Sequence, residues 1–319
     1  MVLKYNKYLI TGGAGFIGSH ICEELVKQGK EIVVIDNFKT GLMENLKPFW
    51  VLKQCKLIKA DISDYKAISH HFKGVDVVFH NAASKCTVCR NDPYVDLMTN
   101  AWGSLNVFRA AQEYGVKKVI HASTGSVNNN YPVSFYGTSK MTAEKYLSVM
   151  HEYYPDFKYT ILRYYHVYGT RQDDSDNGGV IPIFIKRIWE GKPVIIYGSG
   201  EQERHFTSVN DVVKANFAVS ENGYLRHTIH NVVSDVRIAI NDLAWLIYKL
   251  MPNRIRNIEY ASAKKGDIKR FKFEKGNLGF EYNNDLAGEL EKVIEWYTQK
   301  YRTRQKKGEY VGTVTNCRA

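Results

Sequence analysis

A tyrosine and a lysine four residues apart on a helix share one face, and Tyr136-Gly137-Thr138-Ser139-Lys140 has that spacing. A phenol ordinarily titrates near pH 10, about three units too high for a base at neutral pH. A neighbouring ammonium and a cationic ring would favour the phenolate and make Tyr136 a base for an alcohol proton. Spacing alone does not single out the pair, since Tyr114/Lys118, Tyr154/Lys158 and Tyr260/Lys264 share it. Position does. Only Tyr136 opens a helical stretch just after an apolar run, Lys117-Lys118-Val119-Ile120-His121, and its polar exit, Ser123-Thr124-Gly125-Ser126. The carboxyl ends of parallel strands are where α/β sheets bind ligands.

A second constellation lies near the amino terminus. Thr11-Gly12-Gly13-Ala14-Gly15-Phe16-Ile17-Gly18 follows the apolar run Tyr8-Leu9-Ile10 and opens a helical pattern reaching about Gln28. Gly12, Gly15 and Gly18 suit a tight turn, close backbone approach to a pyrophosphate, and tight helix–strand packing. The helix start offers unpaired N–H groups to the phosphates. Asp36 closes the next apolar run, 18 residues beyond Gly18. A carboxylate there accepts hydrogen bonds from an adenosine ribose and repels a 2′-phosphate, which favours NAD over NADP. The alternative, a glycine turn with no ligand, leaves Asp36 unexplained.

The elements that must position these groups alternate. Strands are predicted at 8–10, 31–36, 56–59, 75–80, 117–121 and 158–164, with helices over 16–28, 95–114 and 136–153 between them. That order gives βαβ units and a doubly wound parallel sheet of Rossmann type, covered on both faces. Regularity falls away after Gly169, and Asp173-Asp174-Ser175-Asp176-Asn177-Gly178-Gly179 reads as a surface loop. The boundary is placed near Tyr165: a cofactor-binding domain over 1–165, to which the chain returns around 205–232, and a smaller mixed α/β substrate domain mainly over 166–319.

Composition narrows the class. The chain has 319 residues, with 44 Lys+Arg against 33 Asp+Glu and a formal net charge of +11. No apolar stretch approaches the roughly 18 residues of a membrane span, and the first residues lack a signal-peptide core. Five cysteines without a secretory signal read as free thiols in a reducing cytoplasm. Cys86-Thr87-Val88-Cys89 falls in the loop after the fourth strand and stands without a second pair at finger-like spacing, so no metal site is read and the thiols are expected to be buried or to line a pocket. The excess of positive charge gathers at Lys300, Arg302, Arg304, Lys306 and Lys307. A solvated helix end accounts for that run, with lipid or polyanion binding as the alternative; no nucleic-acid partner is expected.

Taken together, the glycine loop from Thr11 to His20, Asp36-Asn37, Asp61-Ile62, His80-Asn81-Ala82-Ala83, Tyr136/Lys140, Leu162-Arg163-Tyr164, Val167-Tyr168-Gly169, the segment Ile196 to Arg204 and Gly266-Asp267 resemble the extended short-chain dehydrogenase/reductase family. Within it the chain is similar to the nucleotide-sugar epimerases and dehydratases over about nine-tenths of its length. The resemblance implies Tyr136 as the base, Lys140 on the nicotinamide ribose, and Thr124 hydrogen-bonded to the reacting hydroxyl. It implies an NAD site formed by Gly12, Gly15, Phe16, Ile17, Gly18, Asp36 and Asn37 with Asp61 and Ile62 at the adenine, and by Ala82, Ala83, Lys85, Asn100 and Tyr164. Lys85, Thr124, Ser126, His166, Arg204 and Lys264 would meet the nucleotide-diphosphate sugar, with Arg204 clamping its diphosphate. A homodimer is implied through the helices around 95–114 and 136–153, where Trp102, Leu105, Phe108 and Met150 permit an interface.

The reaction is narrowed by one departure. Relatives that eliminate water at C5–C6 resemble one another in an acidic pair directly after the Ser/Thr, and this chain has Gly125-Ser126 there. One base and one bound NAD suffice for oxidation at C4, turning of the 4-keto sugar, and re-reduction on the other face. The alternatives are a C4 dehydrogenase or 4-ketosugar reductase, a 4,6-dehydratase, and a non-catalytic NAD-binding regulator. Tyr136 lies only 12 residues beyond Thr124, about half the usual family distance, so the wall of the sugar pocket is expected to differ.

Overall fold

The computed structural model describes residues 3–89, 92–130, 134–223, 225–263 and 273–308. The described residues of Met1–Tyr165, Val209–Val232 and Phe273–Glu281 form one compact unit, and those of His166–Ser208, Val233–Lys272 and Tyr282–Ala319 form another.

The first unit is built on seven parallel strands: β1 (Lys7–Thr11), β2 (Glu31–Asp36), β3 (Cys55–Lys59), β4 (Val77–His80), β5 (Lys118–Thr124), β6 (Tyr159–Tyr164) and β7 (Thr228–Val232). Their order is β7-β6-β5-β4-β1-β2-β3, a Rossmann-type doubly wound sheet. Winding reverses between β1 and β4, so a crevice opens at the carboxyl ends of those two strands. Four helices matter to it: α1 (Phe16–Lys27), α2 (Ser104–Glu113), α3 (Phe135–Tyr153) and α4 (Val209–Glu221). In the central strands β1, β2 and β4, apolar residues buried on both faces make near-continuous runs. Phe108, Val107, Leu147 and Ala143 pack one helical layer onto Val78, Val119 and Ile161.

Three local expectations are corrected. The fifth strand runs on through Ser123 and Thr124, because β6 continues beside it and pairs Arg163 and Tyr164 with them. The helix expected over 95–114 starts as a turn at Pro93–Asp96, widens to a π-helix over Leu97–Gly103, and becomes regular only at Ser104. The Ser104 hydroxyl bonds the Asn100 carbonyl at 2.6 Å, and Gly103 lies where a β-carbon would meet Ile62 at 2.7 Å. Cys86–Cys89 forms one helical turn rather than a loop; its thiols lie outside the described side chains. Of the residues expected to face a partner, Phe108 and Met150 instead pack into the unit's own core, while Trp102 is half exposed.

The second unit packs the helices Val180–Trp189, Ile240–Leu250 and Leu286–Lys306 around Phe184, Ile188, Leu243, Ile247, Leu290 and Tyr297. Short strand pairs edge it, among them Glu203–His205 antiparallel to Arg237–Ala239. One expectation about charge fails here. Lys300 is no part of a solvated helix end: its ammonium pairs with Asp174 at 3.0 Å, with both side chains largely buried, and lies over the rings of Trp296 and Tyr297. No helix among the described residues is long and apolar enough to cross a membrane.

Candidate active site

The crevice is lined by Gly12, Gly15, Phe16, Ile17 and Gly18 from the glycine loop and α1, by Asp36 and Asn37 after β2, by Ile62, by Ala82, Ala83 and Lys85 after β4, and by Tyr136, Lys140 and Tyr164. Residues remote in sequence thus open into one cavity.

The loop leaves room only for glycine. Gly12 has φ of +68°, and a β-carbon there would sit 2.7 Å from the Ala82 nitrogen; at Gly18 it would sit 2.2 Å from the Gly12 carbonyl oxygen. α1 then starts without a side-chain cap at Gly15, leaving its first N–H groups available to an anion. Asp36 is buried, with Oδ2 accepting the Ala14 N–H at 2.9 Å and Oδ1 the Phe38 N–H at 2.8 Å. Burial raises its pKa despite those two bonds. Asn37 is held by Asp61, whose carboxylate also takes Lys39 and both the N–H and hydroxyl of Ser63. These donors hold Asp61 well below the usual carboxylate range, against the opposing effect of burial. Asp61 therefore braces the wall, whereas Ile62 and Asn37 line it.

On the other wall, Ser134 caps α3 by accepting the Gly137 N–H at 3.0 Å, so the helix begins with Tyr136 in its first turn. Lys140 follows one turn on and is almost wholly buried. Burial pulls its ammonium down to about 8, against the raising influence of Glu144 and Asp96. Glu144 is fixed by Arg163 of β6 through two bonds, at 2.9 and 2.6 Å, and by the Ser123 hydroxyl of β5 at 2.5 Å. Tyr164 faces the cavity with its hydroxyl engaged by Asn216, and burial raises its pKa strongly.

Beneath the crevice runs a buried polar chain. The Ala82 N–H donates to Thr11 Oγ1 at 3.3 Å, Thr11 meets His80 Nδ1 at 2.6 Å, His80 Nε2 meets Ser104 Oγ at 2.9 Å, and Ser104 donates to the Asn100 carbonyl. Burial and the charge of Lys140 hold His80 neutral. Because Ser104 spends its only proton on Asn100, Nε2 carries the imidazole proton and Nδ1 accepts from Thr11. Asn100 itself stands behind the wall instead of lining the cavity as expected. Its side chain accepts the Ser84 N–H and donates to Asp96, Ser139 and the Ser84 carbonyl. Sequence reasoning missed this bracing role, and also missed Asn81, Ser84 and Thr99 as lining residues. Asn81 Oδ1 and Ser84 Oγ are buried with no partner among the described atoms, free to meet a polar ligand.

At the end of β5, Thr124 Oγ1 donates to Ser126 Oγ at 3.2 Å and accepts the Ser126 N–H at 3.1 Å. Gly125 between them lies under Tyr165: a β-carbon there would come within 2.4 Å of the ring. Tyr165 cannot easily yield, being buried, bonded to Asn231 at 3.3 Å and packed on Phe273. His166 and Arg204 belong to the second unit. There His166 is half-buried with φ of +34°, and desolvation of its ring, with Arg204 nearby, pulls its pKa down to about 3. Arg204 is buried and donates to the Glu203 carbonyl at 2.8 Å. Lys264 and Gly266-Asp267 lie outside the described residues.

Glycine loop, exposed helix start, ribose-facing carboxylate and buried lysine fit a dinucleotide. The sequence profile of the NAD dependent epimerase/dehydratase family matches residues 8–232. A Methanocaldococcus jannaschii protein provisionally named UDP-glucose 4-epimerase is 32% identical over 315 residues, 92% of this chain and 99% of its own. A UDP-N-acetyl-alpha-D-glucosaminuronate decarboxylase of Bacillus cytotoxicus is 35% identical over 77% of this chain and 80% of its own. Among solved structures, the UDP-N-acetylglucosamine 4-epimerase of Methanobrevibacter ruminantium M1, in complex with UDP-N-acetylmuramic acid, superposes with a TM-score of 0.87 at 32% identity, covering 93% of this chain and 100% of its own.

The close seat of Gly125 yields a prediction. Gly125→Ala should lower stability by about 1–3 kcal/mol through overpacking against Tyr165, measured by urea denaturation. Adding Tyr165→Ala should make the loss less than the sum of the single losses, since the two residues share one space.

Proposed function

Because the chain belongs to the NAD dependent epimerase/dehydratase family, we propose that it inverts C4 of a nucleotide-activated sugar through a transient 4-keto intermediate. The observation that carries this reading is the pairing of Tyr136 and Lys140 on one wall of the crevice with a glycine, not an acid, after Thr124.

Bound NAD supplies a hydride acceptor that can later return the hydride. Tyr136, as phenolate, takes the proton of the C4 hydroxyl and gives it back after the ketone has presented its other face. Lys140, charged, steadies that phenolate and holds the nicotinamide ribose; its burial makes the charge worth more than in water. Thr124 orients the reacting hydroxyl, with Ser126 as its neighbour. Ala82, Ala83 and Lys85 flank the cofactor, and His166, Arg204 and Lys264 are assigned to the substrate, with Arg204 on its diphosphate. A 4,6-elimination would need an acid and a base after Thr124. An acid at position 125 would have to displace Tyr165, which disfavours the dehydratase reading. An idle NAD-binding regulator would need neither Tyr136 nor Lys140.

The test is incubation with UDP-sugars first, then GDP-, CDP- and dTDP-sugars, without added cofactor. The expected product has unchanged mass and an inverted C4 proton signal by NMR. Loss of two hydrogens with NADH formation would make it a C4 dehydrogenase; loss of water or of carbon dioxide would make it a dehydratase or a decarboxylase.

Tyr136→Phe should lower turnover by about 10²–10⁴-fold while NAD stays bound. Activity should fall as pH rises through about 8, where Lys140 loses its proton. Lys140→Arg, whose guanidinium stays charged throughout, should flatten that alkaline limb at a lower rate.

We also infer a homodimer. Tyr94, Leu97, Met98 and Trp102, and on α3 Tyr146, Val149 and Tyr153, are exposed on neighbouring helices, and clustered exposed apolar side chains mark interaction surfaces. Sedimentation equilibrium should return twice the chain's 36.6 kDa, and Val149→Glu with Tyr153→Glu should return the monomer mass.

A further inference from the structure

The second unit carries a ridge of arginines that the proposed chemistry leaves unused. Arg254 lies 4.7 Å from the centre of the Trp189 ring and Arg302 lies 6.0 Å from it, so two guanidiniums converge on one indole. Arg256 lies 4.8 Å from the centre of the Trp245 ring. Trp245 and Lys249 are one turn apart on the helix Ile240–Leu250, and both are exposed. In sequence Ile255 follows Arg254 and precedes Arg256, and it is 74% exposed.

None of Arg254, Arg256, Arg302 or Arg304 has a carboxylate partner among the described residues. Of the acids near them in sequence, Glu190 pairs with Lys192 at 2.8 Å, and Asp242 and Glu259 form no ion pair with them among the described residues. Burial and then the charge of Arg302 hold Arg254 below its usual pKa. A group of cations without a counter-charge is complementary to an anionic surface.

We propose that this ridge of Lys249, Trp245, Arg256, Ile255, Arg254 and Arg302 docks on the anionic face of a lipid bilayer. The apolar members decide between polyanions. Tryptophan and isoleucine gain by entering the boundary between headgroups and acyl chains, while the arginines remain at the phosphates. A nucleic acid would use an open aromatic face for stacking, but Arg256 covers one face of Trp245, and Ile255 offers phosphates nothing. The basic end of the last helix, Arg304, Lys306 and Lys307, continues the charge from Arg302.

The experiment is co-sedimentation of the full chain with vesicles of phosphatidylcholine alone and of phosphatidylcholine mixed with phosphatidylglycerol, at low and high salt. Binding is expected only to the anionic vesicles and to weaken with salt. Each basic residue near such a surface contributes about fivefold in partitioning, so Arg256→Gln with Arg302→Gln should lower it about 25-fold. Ile255→Ser should weaken binding at both salts, which a purely electrostatic contact would not show. Unchanged thermal midpoint and unchanged sugar-nucleotide turnover serve as controls for folding. No pelleting with anionic vesicles, equal pelleting of the double variant, or retention of a single-stranded RNA in place of vesicles would each overturn the proposal.

Discussion

The site depends on a single buried carboxylate. Glu144 lies two turns beyond Tyr136 and one beyond Lys140, so the three share a face of α3. By gripping Arg163 with both oxygens and taking the Ser123 hydroxyl, it fastens that face to β5 and β6 at the depth of the crevice. Helix rotation and slide are both fixed, and the tyrosine and lysine inherit the result. Breaking such a buried pair by removing one partner costs about 3–5 kcal/mol, because the other charge is left uncompensated. That strength is available only because Arg163 is itself mostly covered and presents a fork to the carboxylate.

The opposite wall is fixed by neutral groups. The chain through Thr11, His80 and Ser104 joins the first residue of the glycine loop to the π-helix, and Asn100 carries the connection on to Ser84 and Ser139. Two mechanisms therefore converge on the crevice: an ion pair behind α3, and hydrogen bonds behind the β1–β4 switch. The π-helix belongs to the second. Widening one turn lets Asn100 face inward toward Ser84 and Ser139 while Trp102 reaches the Ser63 carbonyl outside.

What could be read from the sequence was what is local. The glycine loop, Asp36 at its distance, and the Tyr136/Lys140 spacing each carry their meaning within one βα unit, and the strand order follows from the alternation of elements. Glu144, Arg163 and Asn100 were opaque as braces because each acquires its role from a partner that folding brings near: 19 residues away for the ion pair and 16 for Ser84. Gly125 was legible as a missing acid but not as a seat for the Tyr165 ring, a contact across 40 residues of sequence. Lys300 was misread for a similar reason. Its charge belonged to a run of basic residues in the sequence and to Asp174 in the fold. The π-helix escaped because apolar spacing near 3.6 cannot register one widened turn.

The polar chain under the crevice has a direction. One end is an amide N–H, which can only donate, and the other is a carbonyl oxygen, which can only accept. Every hydroxyl and the imidazole between them must point the same way, since reversing any one would set two donors or two acceptors face to face. Such a chain conducts no protons: passing one along would need the whole set to turn over, and its fixed ends forbid that. Although His80 stands within the electrostatic reach of Lys140, the row is an insulator. Protons exchanged at the mouth of the crevice must leave by solvent or by substrate, and the floor keeps its polarity whatever the charge state above it.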